Sequence, residues 1–179
     1  MVYMLLGTGF EETEAGAPLD LRRRAGVEVA TVGLNGKIVY GSHKIGVEAD
    51  LTLDQLDTET LEMIILPGGL GGVASIKACP AALEAVRYAY EHGKWVAAIC
   101  AAPSILAELG ITDGKNVTCY PGFEAKMGDA RMVNAAAVRD GRIITGTSAG
   151  CAVPFGLELV AALKGPEAAE AVAKQIVIR

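Results

Sequence analysis

Trp95-Val96-Ala97-Ala98-Ile99-Cys100-Ala101-Ala102-Pro103 is an apolar run that ends in a cysteine, with a proline three residues further on. Trp95 to Ile99 read as a buried strand, and Pro103 suits a first helical turn, where its missing N–H is not needed. Cys100 therefore falls at a strand-to-helix turn. Ala98, Ala101 and Ala102 surround it with small side chains, so the backbone has room to turn sharply. This is the pattern of a nucleophile elbow, with cysteine at the serine position and alanine at the glycine positions. A thiol there would face the free N–H groups and positive end of a helix, which favour the thiolate. The plain alternative is a small buried hydrophobe at a strand end, the common fate of a free cysteine.

Outward from this run, strand-like and helical stretches alternate. Val2 to Leu6, Val27 to Val32, Met63 to Leu66 and Ile143 to Thr145 are further strands. Glu12 to Ala25, Pro80 to His92 and Ala101 to Leu109 have helical spacing, each followed by glycine (26, 93 and 110). Two more helices are expected over Cys151 to Leu163 and Pro166 to Lys174. Such alternation predicts a doubly wound α/β domain over residues 1–179, a mostly parallel sheet with helices on both faces. Asn35-Gly36 and Asp140-Gly141 are hairpin signals, predicting short antiparallel additions near 29–47 and 133–146.

Composition removes several function classes. The chain has 179 residues, is 51% hydrophobic and carries a formal charge of −5. It can bury a sizeable core, and its charge argues against nucleic acid as a partner. Arg22-Arg23-Arg24 closes a predicted helix, where cations complement the C-terminal dipole. No run is long enough to span a bilayer, and the N-terminus lacks a signal-peptide pattern. Cysteines 79, 100, 119 and 151 are scattered without CxxC spacing, as in a reduced, cytoplasmic protein. Neither HExxH nor paired CxxC occurs, so no metal site is expected.

In open parallel sheets, ligands sit beyond the carboxyl ends of the strands. Gly7 to Glu14, Pro67 to Gly72, Cys100 to Pro103 and Gly146 to Cys151 would gather there. Gly7 and Gly9 begin a GxGxxG pattern, but Glu12 takes its third place and no ribose-binding acid follows, which excludes NAD. Glu11, Glu12 and Glu14 suit a helix N-terminus. One of them facing Cys100 would have a raised pKa and could carry a proton; the residues alone do not select which. Leu66-Pro67-Gly68-Gly69-Leu70-Gly71-Gly72 is not a Walker loop, and taken alone it reads as a loose glycine-rich turn. With the Ala101 N–H, its backbone donors could also form an oxyanion hole.

The E-E-x-E at 11–14, L-P-G-G at 66–69 and A-I-C-A-A-P at 98–103 resemble the ThiJ/PfpI family of the class I glutamine amidotransferase-like superfamily. Val117-Thr-Cys-Tyr-Pro121 and Phe155-Gly-Leu-Glu-Leu159 extend the resemblance over nearly the whole chain, toward the branch of the parkinsonism-associated deglycase and its bacterial relatives. The resemblance implies a flavodoxin-like fold, with Cys100 as the reactive, oxidation-sensitive nucleophile. It makes Glu14 the protonated acid beside the thiol, and Gly68, Gly69 and Ala101 the backbone donors. It further implies homodimers and cofactor-independent chemistry on small aldehydes or dicarbonyls, or on early glycation adducts.

This chain departs from the family at several positions. Ala101 follows the cysteine where peptidase-like branches place histidine, which argues against a Cys-His protease. Tyr120 stands at a pocket histidine's place, His43 replaces an arginine, and Ser148 to Cys151 replace a loop bearing another. The pocket set is then Tyr120, Ser148 and His43, with slow turnover expected for want of a second base. Cys119 and Cys151 are candidate resolving thiols, while Cys79 and His92 fit helix-end positions. Three readings remain open on the residues: a glyoxalase or deglycase, a redox-sensing protective protein without turnover, and a hydratase or hydrolase of another metabolite.

Overall fold

The computed structural model describes residues 1–178. Its frame is a seven-stranded sheet built around β1 (Val2–Leu6), whose five residues are all buried. The other members are β2 (Val29–Gly33), β5 (Leu51–Thr52), β6 (Met63–Leu66), β7 (Trp95–Ile99), β10 (Ala137–Asp140) and β11 (Ile143–Gly146). Their order across the sheet is β10-β11-β7-β6-β1-β2-β5, and only the β10–β11 pair is antiparallel. Strands buried on both faces become continuous apolar runs rather than alternating ones. That is why Met63-Ile-Ile-Leu66 and Val96-Ala-Ala-Ile99 were so legible.

Five helices cover the sheet, α1 (Glu12–Arg24), α2 (Leu70–Lys77), α3 (Pro80–Glu91), α4 (Pro103–Glu108) and α5 (Ala152–Lys164), while α6 (Pro166–Gln175) packs outside them on α5 and α1. One core joins Leu5, Ile64 and Ala98 to Val73, Ile76, Val86 and Leu106 of α2, α3 and α4. The other joins Met4, Ile65 and Ile99 to Ala15 of α1 and to Phe155 and Leu159 of α5. The expected doubly wound α/β architecture is therefore present. The chain runs from β1 to β2 on one side and returns to β6 on the other, so the loops after β1 and β6 part at a topological switch point.

Both expected antiparallel additions are present, and two other local expectations need correction. Asn35-Gly36 is not itself the turn of the first hairpin. It leads into β3 (Ile38–Tyr40), which pairs with β4 (Gly46–Glu48) across residues 41–45. Asp140-Gly141 does mark the β10–β11 turn, with Gly141 at φ 59°. The glycine-rich stretch after β6 is not loose, because α2 begins at Leu70. Its glycines let two loops meet backbone to backbone: a Cβ on Gly72 would sit 2.7 Å from Phe10 Cα. Residues 101 and 102 form a turn, and α4 starts only at Pro103. The two-residue strands β8 (Asn116–Val117) and β9 (Arg131–Met132) pair with each other and carry too little pattern to be read from sequence.

The three arginines that close α1 do not share one role. Arg23 pairs with Asp50 at 2.9 Å and Arg24 with Asp20 at 2.7 Å, both on the surface. Arg22 instead turns inward and is 0% exposed. Its Nη2 donates to Met63 Sδ at 3.0 Å, while among the described residues Nε and Nη1 have no partner. Among the described residues, no helix is long and apolar enough to cross a membrane.

Candidate active site

Cys100 is the residue that the elbow strains. Its φ is +66°, a left-handed conformation that costs a non-glycine residue about 1–3 kcal/mol. Both of its backbone polar groups are tied down: its N–H donates to Gly146 O at 2.9 Å, and its carbonyl accepts from Tyr120 N at 2.8 Å. Strand β11 and the 118–123 loop thus hold the bend from either side. The N–H groups of Ala101 and Gly69 lie on the sulfur's side and favour its anion.

Glu14 closes the site from the first turn of α1. It is 0% exposed, and its Oε2 accepts a 2.8 Å hydrogen bond from Gly68 N. Oε1 is buried without a hydrogen-bond partner, and the carboxyl lies close enough to the Cys100 thiol for each to shift the other's titration. Burial raises the Glu14 pKa to about 7, against weaker opposing help from Cys100 and Gly68. Glu11 sits one step back. Its Oε2 accepts from Glu14 N at 2.7 Å as the cap of α1, and its own N–H donates to Gly68 O at 3.0 Å. Glu12 faces away and accepts from the His43 backbone at 2.6 Å and side chain at 2.8 Å.

Two expectations about electrostatics change here. The elbow was expected to favour the thiolate, yet burial, and then the charge of Glu14, push the Cys100 thiol up to about 12. The helix behind it is only six residues long and begins three residues later, so its dipole is a small counterweight. Gly68 was expected to offer its N–H to an oxyanion, but that group is committed to Glu14. Its lack of a side chain is the stricter requirement: a Cβ would lie 2.5 Å from Glu14 Oε2, 2.7 Å from Cys100 Cβ and 2.9 Å from Ile99 O. Gly68→Ala is expected to lower stability by about 1–3 kcal/mol through overpacking and to displace the carboxyl. Urea unfolding measures it, and an unchanged midpoint would show that the loop can yield.

Beside the sulfur lies a cleft of about 230 Å³ lined by Glu11, Gly69, Leu70, Cys100, Ala101, Tyr120 and Phe123. Glu11, Leu70 and Phe123 were not singled out as pocket residues, because only the packing of α1, α2 and the 118–123 loop brings them together. Of the expected pocket set, Tyr120 lines this cleft, while His43 and Ser148 do not. His43 is an exposed partner of Glu12, and Ser148 Oγ contacts Cys151 Sγ at 3.9 Å. The two possible resolving thiols, for which unreactive half-buried cysteines are the favoured alternative, are not cleft residues either. Cys119 is buried, its Sγ directed at Tyr120 O at 3.5 Å, and it lines a separate cavity with Thr118, Pro121 and Met132.

The remaining helix-end residues behave locally. Cys79 caps α3, and His92 ends it, with Nδ1 against Tyr88 O at 2.9 Å. All four cysteines are free. Among the described residues, Glu11, Glu12 and His43 are the one trio whose ligand atoms all lie within 4.8 Å of one another. Their carboxylates already serve as the cap of α1 and as acceptors for His43.

The site is thus a strained cysteine elbow at the carboxyl ends of a parallel sheet, faced by a buried carboxylic acid, in a small α/β protein. The chain belongs to the DJ-1/PfpI family, whose profile matches residues 1–162. It is 33% identical to Protein dj-1beta of Drosophila melanogaster over 178 residues, 98% of this chain and 95% of the relative. It is 30% identical over 168 residues to the glutathione-independent glyoxalase DJR-1.2 of Caenorhabditis elegans, covering 93% of this chain and 89% of that protein. In three dimensions it resembles the crystal structure of Drosophila DJ-1beta, with a TM-score of 0.95, 33% identity and coverage of 99% and 97% of the two chains. It also resembles oxidized Toxoplasma gondii DJ-1, with a TM-score of 0.93, 30% identity and coverage of 98% and 97%. At the level of the family, glyoxalase, deglycase or stress-protective roles are supported.

Proposed function

We propose that this protein is a cofactor-independent enzyme that converts methylglyoxal-like 2-oxoaldehydes, or their early glycation adducts, to hydroxy acids. The observation that carries the reading is the buried Glu14 carboxyl set beside the strained Cys100 thiol, with the carboxyl pushed up to about 7 by burial and the Gly69 and Ala101 N–H groups near the sulfur. A neutral thiol with a high pKa needs a neighbouring base, and Glu14 as carboxylate fills that role. It takes the Cys100 proton as sulfur bonds to the aldehyde carbon, and the Gly69 and Ala101 donors hold the developing oxyanion. Glu14 then protonates that oxygen to give the hemithioacetal. As carboxylate again, it removes the proton on the former aldehyde carbon and delivers it to the neighbouring ketone carbon, through an enediol, while the hydroxyl proton passes from the former aldehyde oxygen to the former ketone oxygen. The result is a thioester of the hydroxy acid. Water cleaves the C–S bond, releasing the acid and restoring the thiol, so the net change is addition of one water.

Other features agree with this reading. A free Cys100 suits a cytoplasmic setting, where thiols stay reduced. Assembly as a homodimer belongs to the proposal, because Ile38, Tyr40 and Ile45 stand exposed on and beside the β3–β4 hairpin, a surface a second copy would cover. The second reading, a redox sensor, draws on the oxidized form in which Toxoplasma gondii DJ-1 has been solved.

Methylglyoxal consumption and lactate formation, followed together, separate the two. Wild type is expected to release many lactates per subunit, and Cys100→Ser to lose at least about 100-fold of that rate. Loss of dicarbonyl saturating near one per thiol, without lactate, would sink the enzyme reading in favour of the sensor.

A further inference from the structure

The cleft beside Cys100 is small, and its walls differ in kind from the catalytic pair. At about 230 Å³ it falls below the roughly 300–1,000 Å³ typical of drug-sized sites. Leu70, Ala101, Tyr120 and Phe123 form an apolar rim. The Tyr120 and Phe123 rings meet edge to face at 6.3 Å and 85°, and Leu70 is 71% exposed. The one acid on this wall is Glu11, and no lysine, arginine or histidine lines it. Lys126 lies 4.3 Å over the Phe123 ring and is not a cleft residue.

We infer, resting on the activity proposed above, that this cleft selects uncharged 2-oxoaldehydes with apolar or aromatic substituents and rejects anionic ones, with Glu11 as the residue that excludes negative charge. The aldehyde must reach Cys100 Sγ, so its substituent extends along the rim toward Glu11. An alkyl or aryl group there covers Leu70 and stacks against Phe123. A carboxylate or phosphate there would meet a carboxylate within a half-enclosed space whose lining holds no cation, Lys126 lying over the Phe123 ring rather than on the wall. Glu11 is held in this position by a structural duty, since it caps α1 at Glu14 N and fixes the Gly68 carbonyl. Its charge is therefore a permanent part of the entrance rather than a mobile surface group.

A matched pair of probes tests this. Values of kcat/KM are measured for 4-methylphenylglyoxal and 4-carboxyphenylglyoxal, by formation of the corresponding mandelates. The expected preference of wild type for the uncharged probe is about 10- to 100-fold. In Glu11→Gln, where the amide oxygen can still cap Glu14 N–H, that ratio should fall below about threefold, mainly through faster use of the carboxylate probe. Phe123→Ala should raise KM for both aryl probes. An independent readout needs no turnover: alkylation of Cys100 by uncharged iodoacetamide and anionic iodoacetate, mapped by peptide mass and normalised to glutathione. The same bias and its loss in Glu11→Gln are expected. If alkylation shows the bias but no mandelate forms, the charge filter stands and the proposed activity falls. Equal use of both probes by wild type, or an unchanged bias in Glu11→Gln, would overturn the filter.

Discussion

Replacing Glu14 by glutamine is expected to abolish lactate formation and, at the same time, to make the protein harder to unfold at alkaline pH. The first effect follows from the loss of the only acid–base group at the sulfur, since Gln can neither take the thiol proton nor shuttle one between carbons. General acid–base catalysis of this kind contributes about 10²–10⁴-fold. Wild-type kcat/KM should fall as pH drops below about 7, where Glu14 takes up a proton and can no longer deprotonate Cys100.

The second effect follows from linkage. Burial raises the Glu14 pKa from 4.5 to about 7, so between these values the folded state holds a proton that the unfolded chain has released. The contribution of that proton to stability is complete below about 4.5 and disappears as pH rises through about 7. Above that, the folded protein carries a buried carboxylate whose cost is on the order of 3 kcal/mol at most. Gln removes the charge while its oxygen can still accept from Gly68 N. Urea unfolding at pH 8.5 should therefore favour Glu14→Gln by about 1–3 kcal/mol, with the difference closing at pH 4. A variant less stable than wild type at both pH values would mean that the carboxylate is better satisfied than its bare Oε1 indicates. Such a trade of stability for chemistry is common where a site keeps a charge in the interior.

Arg22→Met is the substitution expected to stabilise the protein most. Burial pulls the guanidinium down to about 9, which still leaves it charged at neutral pH. Its Nη2 has only the Met63 sulfur, a weak acceptor, while among the described residues Nε and Nη1 have no partner. An interior cation without a carboxylate costs free energy that methionine, similar in length and apolar, does not. Replacing buried ionic groups by well-packed apolar ones stabilises proteins by about 1–4 kcal/mol, and a gain in that range is expected here. The midpoint of urea unfolding at pH 7, with lactate formation as a control, measures it. A loss of more than about 1 kcal/mol would show that the guanidinium holds a stabilising contact.

The alternation of the main strands and helices, the buried parallel sheet and the position of Cys100 at a bend were determined by the sequence alone, whereas α2 and the two- and three-residue strands were not. These depend on local periodicity, on glycine and proline at element ends, and on apolar runs such as Trp95 to Ile99. The choice among Glu11, Glu12 and Glu14 came only with the family resemblance. Tertiary packing turns Glu14 inward, Glu11 onto the cleft wall and Glu12 out toward His43, although all three read alike as acids at a helix start. It likewise buries Arg22 while leaving Arg23 and Arg24 on the surface, assigns the Gly68 N–H to Glu14, and keeps Ser148 and Cys119 off the cleft. Each of these turns on which groups lose their water and which partner replaces it. Desolvation is a property of the assembled interior and leaves no trace in the spacing of residues along a chain, which is why the high titration point of Cys100 also had to come from the structure.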